Sequence, residues 1–315
     1  MRLTLKAHAK LNLNLRVGRR RADGYHELRT IFQTIALHDT LVIESMPRKP
    51  VAVAGDASAM PLGEDNLAWK AAAALWHAMG RAGPPMGARI TIRKRIPAQA
   101  GLGGGSSDAA ATLAGLHRLW REPIAPQALV SLAATLGADV PFFLVGGAAL
   151  GLGRGDEIYP LIDRPTQDVV IVRPSFGVST RDAYAWLADA RSTRPAHDGP
   201  FVAERPSEGW TNDLERVVEA HHPEIQEIRQ RLLRLGANTA RMSGSGSAVF
   251  GLFDTGVRAR RAEAQLRRPE WTVMRTRTIR RPLKQREFAA IIVSGTSCGR
   301  PRSRAPDLSG QRRIP

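Results

Sequence analysis

"PAQAGLGGGSSDAAATL", residues Pro97 to Leu113, places four glycines within five residues and then turns into alanine-rich helix former. Glycine accepts positive φ and carries no Cβ, so the backbone N–H groups of such a stretch can close around an anion. The helix that follows adds its unpaired N-terminal N–H groups and the positive end of its dipole. Ser106 and Ser107 contribute hydroxyl donors, and Asp108 stands where an N-cap or first-turn acid belongs. The stretch therefore reads as a phosphate-binding loop made of Pro97, Ala98, Gln99, Ala100, Gly101, Leu102, Gly103, Gly104, Gly105, Ser106 and Ser107. It is not a Walker loop, because no lysine follows the glycines. Nor does it carry the acidic ribose partner that a dinucleotide fingerprint places about twenty residues downstream.

The flanks give the loop its setting. Upstream, "ARITIRKRIP" alternates like a strand that stops at Pro97, and the helix after the loop is expected over Ser107–Trp120. Further back, "LTLKAHAKLNLNLRV" alternates with period 2 from Leu3 to Val17, a strand with one buried face. Asp23-Gly24 marks a turn, after which 28–37 and 39–46 read as two more strands. "NLAWKAAAALWHAMGRAG" is a helix capped by Asp65 or Asn66, and "APQALVSLAATLG" is another that ends at Gly137. The segment 138–161 reads as a loop, a short apolar strand pair and a glycine turn. A buried strand, "DVVIVRP", opens a second half with helices from about Ser179 and over 221–236. "ANTARMSGSGSAVFGLFD" follows as strand, glycine turn and strand, before a last helix and a last strand. Grouped strands with interspersed helices define an α+β protein of two halves. The expected division is 1–163, 164–282 and a basic, disordered tail over 283–315.

Composition narrows the function classes. No run of eighteen apolar residues exists, so no membrane span is expected. The single cysteine, Cys298, excludes a disulfide framework, and a cytoplasmic protein is the simplest reading. The formal net charge of +17 favours anionic partners such as nucleotides or nucleic acid. A nucleic-acid surface would interleave basic and aromatic residues. Here the arginines are scattered and the aromatics sit in apolar runs, so no nucleic-acid partner is expected.

Three segments together resemble the motifs of the GHMP small-molecule kinases: "KAHAKLNLNLRV", the glycine loop, and "ARMSGSGSAVFGLF". They occur in the family's order, and the resemblance covers residues 1–282. It implies a two-domain fold with a ribosomal-protein-S5-like N-terminal half, an α/β C-terminal half and an active site in the cleft between them. It also implies ATP as phosphoryl donor, escorted by Mg²⁺, and a small-molecule alcohol as acceptor. "AKLNLNL", "RRADGYHEL" and "GADVPFFL" resemble the branch of the family whose acceptor carries a cytidine diphosphate.

The resemblance assigns Lys10 and Asp139 to catalysis. A carboxylate at the edge of an apolar segment is costly unless paired, and Lys10 is its natural partner. Taken alone, Asp139 is also consistent with a turn or cap residue, and Lys10 with an exposed strand lysine. The resemblance further implies that Tyr25 and Tyr184 sandwich a cytosine whose edge His26 binds. Asn12 would hold the acceptor's hydroxyls, and Asn66 and Lys94 would lie near the adenine. Asn66 is equally a helix cap and Lys94 a solvated strand residue. The sequence names no metal ligand and no oligomeric state. A family member acting on homoserine or mevalonate is the near rival, and only the cytosine-facing tyrosines separate the two readings.

Overall fold

The computed structural model of the protein describes residues 1–192 apart from 57, 59 and 122, together with 210–282 and 285. The first half is built on a long antiparallel hairpin, β1 (Arg2–Arg20) and β2 (His26–Pro50), turning at Gly24 with φ +85°. The expected break between strands at 37 and 39 does not exist. His8 faces His38 while Lys10 faces Thr34, so a bulge bends β2 there without ending its pairing. On the other edge of β2, β4 (Met86–Arg93) pairs with the distal part and β5 (Ala148–Leu152) with the near part. A short strand that sequence periodicity does not reveal, β3 (Ala52–Gly55), lies parallel to β4, and β6 (Glu157–Pro160) pairs with β5.

One face of this sheet is covered by α1 (Leu67–Ala78), α2 (Gly104–Trp120), α3 (Pro126–Leu136) and α4 (Val140–Val145). Ala71, Leu75, Leu113, Leu116, Phe142 and Ile90 share that core. Two expectations are corrected here. β4 ends at Arg93, ahead of Pro97, and α2 begins at Gly104 rather than Ser107. Gly103, in the left-handed conformation, is its N-cap, so Asp108 falls inside the helix instead of at its cap. "VPFFLV" is helix α4, not loop or strand: Pro141 fits a first turn, and all six residues are buried.

The second half is a four-stranded antiparallel sheet, β7 (Asp168–Pro174), β8 (Thr239–Met242), β9 (Val249–Phe253) and β10 (Trp271–Arg277), in the order β10-β7-β9-β8. Its outer face packs on α5 (Thr180–Ser192), α6 (Glu215–His221), α7 (Pro223–Arg234) and α8 (Gly256–Leu266) through Val170, Val172, Ile225, Ile228 and Ala259. Sequence reading misses α6, which is only two turns long. Between the sheets lies a third apolar layer, in which Leu11, Leu13 and Ile31 meet Ile171, Phe250 and Trp210. Each large aliphatic or aromatic side chain fully buried there contributes about 1.5–3 kcal/mol. The expected one-sided burial of β1 is therefore corrected, because residues 9 to 15 are buried on both faces.

The buried Arg281 adds a polar tie between the halves, donating to the carbonyls of Val145, Gly146 and Ala148. Among the described residues no helix is long and apolar enough to cross a membrane. The sequence predicts a polar loop over 191–209, but Arg191 and Ser192 end α5; residues 193–209 and the tail expected over 283–315, apart from Gln285, lie outside the described residues, Cys298 among them.

Candidate active site

Burial of both faces of β1 puts its even-numbered residues to use. Lys10, Asn12 and Asn14 are polar yet at most 4% exposed, so each needs partners. The Lys10 ammonium bonds Asn12 Oδ1, sits 5.5 Å from the centre of the Phe32 ring and lies 3.4 Å from Asp139 Oδ2. Asn12 Nδ2 donates to Thr30 Oγ1 at 2.8 Å, and the Asn12 backbone N–H donates to Ser243 Oγ at 3.3 Å. Asp139 is the residue before α4, but its side chain makes no capping bond. Its side chain is 34% exposed and lines the cleft, which decides against the helix-cap alternative.

The glycine loop crosses between the halves. Gly101, at φ +71°, packs so tightly on the "MSGSGS" turn that a Cβ would stand 2.0 Å from the Ser243 carbonyl oxygen. Ser243 Oγ in turn donates to the Gly101 carbonyl at 3.0 Å. At Gly103 a Cβ would meet the Phe143 ring at 2.7 Å. The glycines thus serve close packing as well as positive φ, and α2 begins with its N–H groups directed to the cleft wall. Asn212, which sequence reading did not single out, fixes the facing turn by donating to the carbonyls of Met242 and Gly244 at 2.8 Å each.

The cleft, about 760 Å³, is lined by the whole stretch from Ile96 to Ser106 together with Lys10, Asn12, Asn66, Lys94 and Asp139. Ser107 is the exception among the loop residues. Its hydroxyl points behind the loop and donates to the His8 carbonyl at 2.7 Å, because the earlier helix start puts Ser107 on the sheet-facing side. Asn66 is a true helix cap: Oδ1 accepts from Ala68 N–H, and Nδ2 donates to the Pro61 carbonyl. Lys94 is not a solvated strand residue. It follows β4, and its ammonium binds Asp39 at 2.5 Å and Asp108 at 2.8 Å. Asp39 is fully buried and also accepts from the backbone N–H groups of Arg95 and Ile96. Burial, with Asp39 nearby, pushes the Asp108 carboxyl up to about 7 against the pull of Lys94.

A second chamber, about 770 Å³, adjoins the first through Asp139, Ser106, Thr180 and Tyr184 and is lined by Tyr25 and His26. The structure brings these three rings together, but not as a bare tyrosine sandwich. His26 stacks on Tyr184 with centroids 5.2 Å apart, and the Arg154 guanidinium lies 5.1 Å over Tyr25, which is 55% exposed. Arg154 also lines both chambers and is held by Asp156 at 2.5 Å; its place between two glycines was the only signal in the sequence. Burial, followed by the negative charges of Asp139 and Asp213, pushes the Tyr184 phenol up, so it stays protonated. Burial lowers His26, and Arg191 and Arg20 lower it further, so it is neutral at physiological pH.

A glycine loop on a helix N-terminus, set beside a buried lysine paired with a cleft-facing aspartate at the junction of two chambers, is the arrangement of a phosphotransferase. The GHMP kinases N terminal domain matches residues 66–147, and the GHMP kinases C terminal domain matches 203–269. A protein of Moorella thermoacetica named 4-diphosphocytidyl-2-C-methyl-D-erythritol kinase is 45% identical over 286 residues, spanning 87% of this chain and 99% of its own length. The chain belongs to the GHMP kinase family.

Similarity to one branch of it is strong. The enzyme of the same name from Solibacter usitatus is 45% identical over 263 residues, 79% of this chain and 80% of its own. A crystal structure of 4-(cytidine 5'-diphospho)-2C-methyl-D-erythritol kinase matches with a TM-score of 0.74 at 38% identity, covering 88% of this chain and 99% of that one. Homoserine kinase from Cytophaga hutchinsonii, with a TM-score of 0.65 at 15% identity, covers 89% and 95% and shares the fold.

Proposed function

We propose that the chain transfers the γ-phosphoryl group of ATP to the 2-hydroxyl of 4-diphosphocytidyl-2-C-methyl-D-erythritol, in the non-mevalonate route to isoprenoids. The half over 1–163 supplies the nucleotide site, and the half over 164–282 closes the acceptor side. The observation that carries the reading is the 3.4 Å Lys10–Asp139 pair, placed where the glycine-loop cleft meets the chamber of Tyr25, His26 and Tyr184.

The phosphates of ATP rest on the N–H groups of the loop and of the first turn of α2. Cytosine lies among the rings of the second chamber, where flat faces and edge donors suit a pyrimidine. Asn12 and Asp139 then face the acceptor hydroxyl. The hydroxyl oxygen forms a bond to the γ-phosphorus while the bond from phosphorus to the β–γ bridging oxygen breaks, and ADP leaves with that electron pair. The hydroxyl proton passes to the Asp139 carboxylate. Lys10 pairs with Asp139 at 3.4 Å and offsets the negative charge that gathers on the phosphoryl oxygens.

Mg²⁺ supplies charge neutralisation to ATP in such reactions. Among the described residues there is no group of three or more His, Cys, Asp or Glu side chains that could hold a metal ion.

The test is ADP release in a coupled assay with three acceptors at equal concentration: the cytidyl substrate, mevalonate and homoserine. The expected result is turnover with the first and none above background with the others. Turnover with mevalonate or homoserine and none with the cytidyl substrate would overturn the reading.

A further inference from the structure

A groove of about 420 Å³ runs behind the phosphate loop, past Ser107 and along α2 to Arg118. Its walls are mainly apolar, with Leu5 of β1, Ala111 and Ala114 of α2, Ile124, Leu129 of α3 and Leu144 of α4. The chain comes back to this groove after β10, and Ile279, Pro282 and Gln285 all line it. Gln285 has helical backbone, and its N–H donates to the Pro282 carbonyl at 3.0 Å. Its side-chain Nε2 donates to the Phe143 carbonyl at 3.1 Å, and a Cβ on Gly146 would run into its amide. The last described residue is thus anchored to α4 and to the turn after it, with a helical turn already begun behind a proline.

The sequence continues as "REFAAIIV", residues 286–293, where six apolar residues in a row follow Glu287. These residues lie outside the described ones and beyond the 1–282 span that carries the family resemblance. We propose that 286–293 continue the helical turn at Gln285 and lay one face into this groove, a latch that the chain builds for itself. Positions three, four and seven after Gln285 share its face of a helix. They are Phe288, Ala289 and Ile292, apolar at each place. That spacing is how a helix seats in an apolar groove. The small Ala111 and Ala114 leave room for the two large side chains. The seven residues from Gln285 to Ile292 span about 10 Å of helix, the length that α2 takes from Ser107 to Ala114. Gly295 stands where a C-cap would end the helix. The latch backs the phosphate loop through Phe143, whose ring fills the space beside Gly103. Nothing in this docking depends on which reaction the cleft performs.

The first experiment is amide hydrogen exchange of the full chain, read by mass spectrometry on the peptide spanning 286–293. Wild type is expected to exchange it about 10²-fold slower than an unstructured chain. Phe288→Asp combined with Ile292→Asp is expected to restore the unstructured rate and to lower Tm by about 5 °C. Exchange of 286–293 at the unstructured rate in wild type would overturn the proposal, and so would unchanged protection in the double variant.

Cross-linking fixes the place. Cys298 is the single cysteine, so Cys298→Ser leaves a clean background. In it, Ala114→Cys is combined in turn with Phe288→Cys, Ile292→Cys and Ala290→Cys, the last on the opposite face of the helix, and the chains are mildly oxidised. At least one of the first two pairs is expected to form an intramolecular disulfide at about 10-fold the yield of the Ala290→Cys pair. No disulfide from either, or equal yields from all three, would overturn docking in this groove. A disulfide-linked dimer in place of the intramolecular bond would give the groove to the tail of a second copy and overturn the latch within one chain.

Discussion

Replacing Lys10 by methionine keeps the length of a side chain that is 4% exposed and removes its charge. Two costs follow, and they fall on different observables. Asn12 Oδ1, on a residue 4% exposed, loses its ammonium donor. A buried acceptor left alone costs about 1–3 kcal/mol. Asp139 keeps solvent over 34% of its side chain and adds little to that. At about 2–4 °C per kcal/mol, Tm falls by roughly 2–12 °C, and the protein stays folded. Catalysis loses a preorganised positive charge at the transferring phosphoryl group, which is worth about 2.7–4 kcal/mol, or 10²–10³ in kcat. The assay is coupled ADP release at saturating ATP and acceptor, beside a thermal melt. A folded Lys10→Met variant with kcat within about 5-fold of wild type would refute the role given to the pair.

Asp139→Asn is expected to lower kcat by about 10²-fold with Tm little changed, since the side chain caps nothing; near-normal turnover would contradict it. Gly101→Ala adds about 1–2 kcal/mol of left-handed backbone cost and drives a methyl into the Ser243 carbonyl at 2.0 Å. Its melt should drop, and its kcat/KM for ATP should fall on the order of 10²-fold. Gly105→Ala, whose Cβ meets only Leu67 at 3.4 Å, should melt no lower than wild type. Tyr25→Ala should raise the KM of the acceptor and leave that of ATP unchanged, as steady-state titration of each substrate will show. Burial, with His38 and Lys6 adding to it, lowers His8 to about 4. The folded protein then binds fewer protons than the unfolded chain between pH 6.5 and 4, so this residue's share of stability is lost as pH falls through that window. His8→Gln should flatten the Tm–pH curve there, and an unchanged slope would remove His8 from the account.

What the sequence disclosed follows from which signals are local. The glycine loop, the N-cap at Asn66 and the alternation of β1 are written in adjacent residues, and each reappears as an element. The Lys10–Asp139 meeting was legible only through motif resemblance, because it joins residues far apart in the chain, β1 and α4 both packing on α2. The bulge at 35–37 escaped notice because a bulge does not interrupt apolar alternation enough to be told from a turn. "VPFFLV" is apolar at every position, so periodicity cannot separate helix from strand there. The ion pairs of Lys94 have no local signal, because its two aspartates come from β2 and α2, and the solvated alternative stayed open in the sequence for that reason. Ser107 looked like a phosphate donor until the helix start at Gly104 fixed which way its hydroxyl turns.

The account stands most directly on one measurement: a crystal structure with a non-hydrolysable ATP analogue and the cytidyl acceptor bound together. It predicts the terminal phosphate on the N–H groups of Gly103 to Ser106, and the acceptor 2-hydroxyl within hydrogen-bond reach of Asp139 with Lys10 beside it. Nucleotide bound away from that helix end, or an acceptor whose hydroxyl lies out of reach of Asp139, would contradict it.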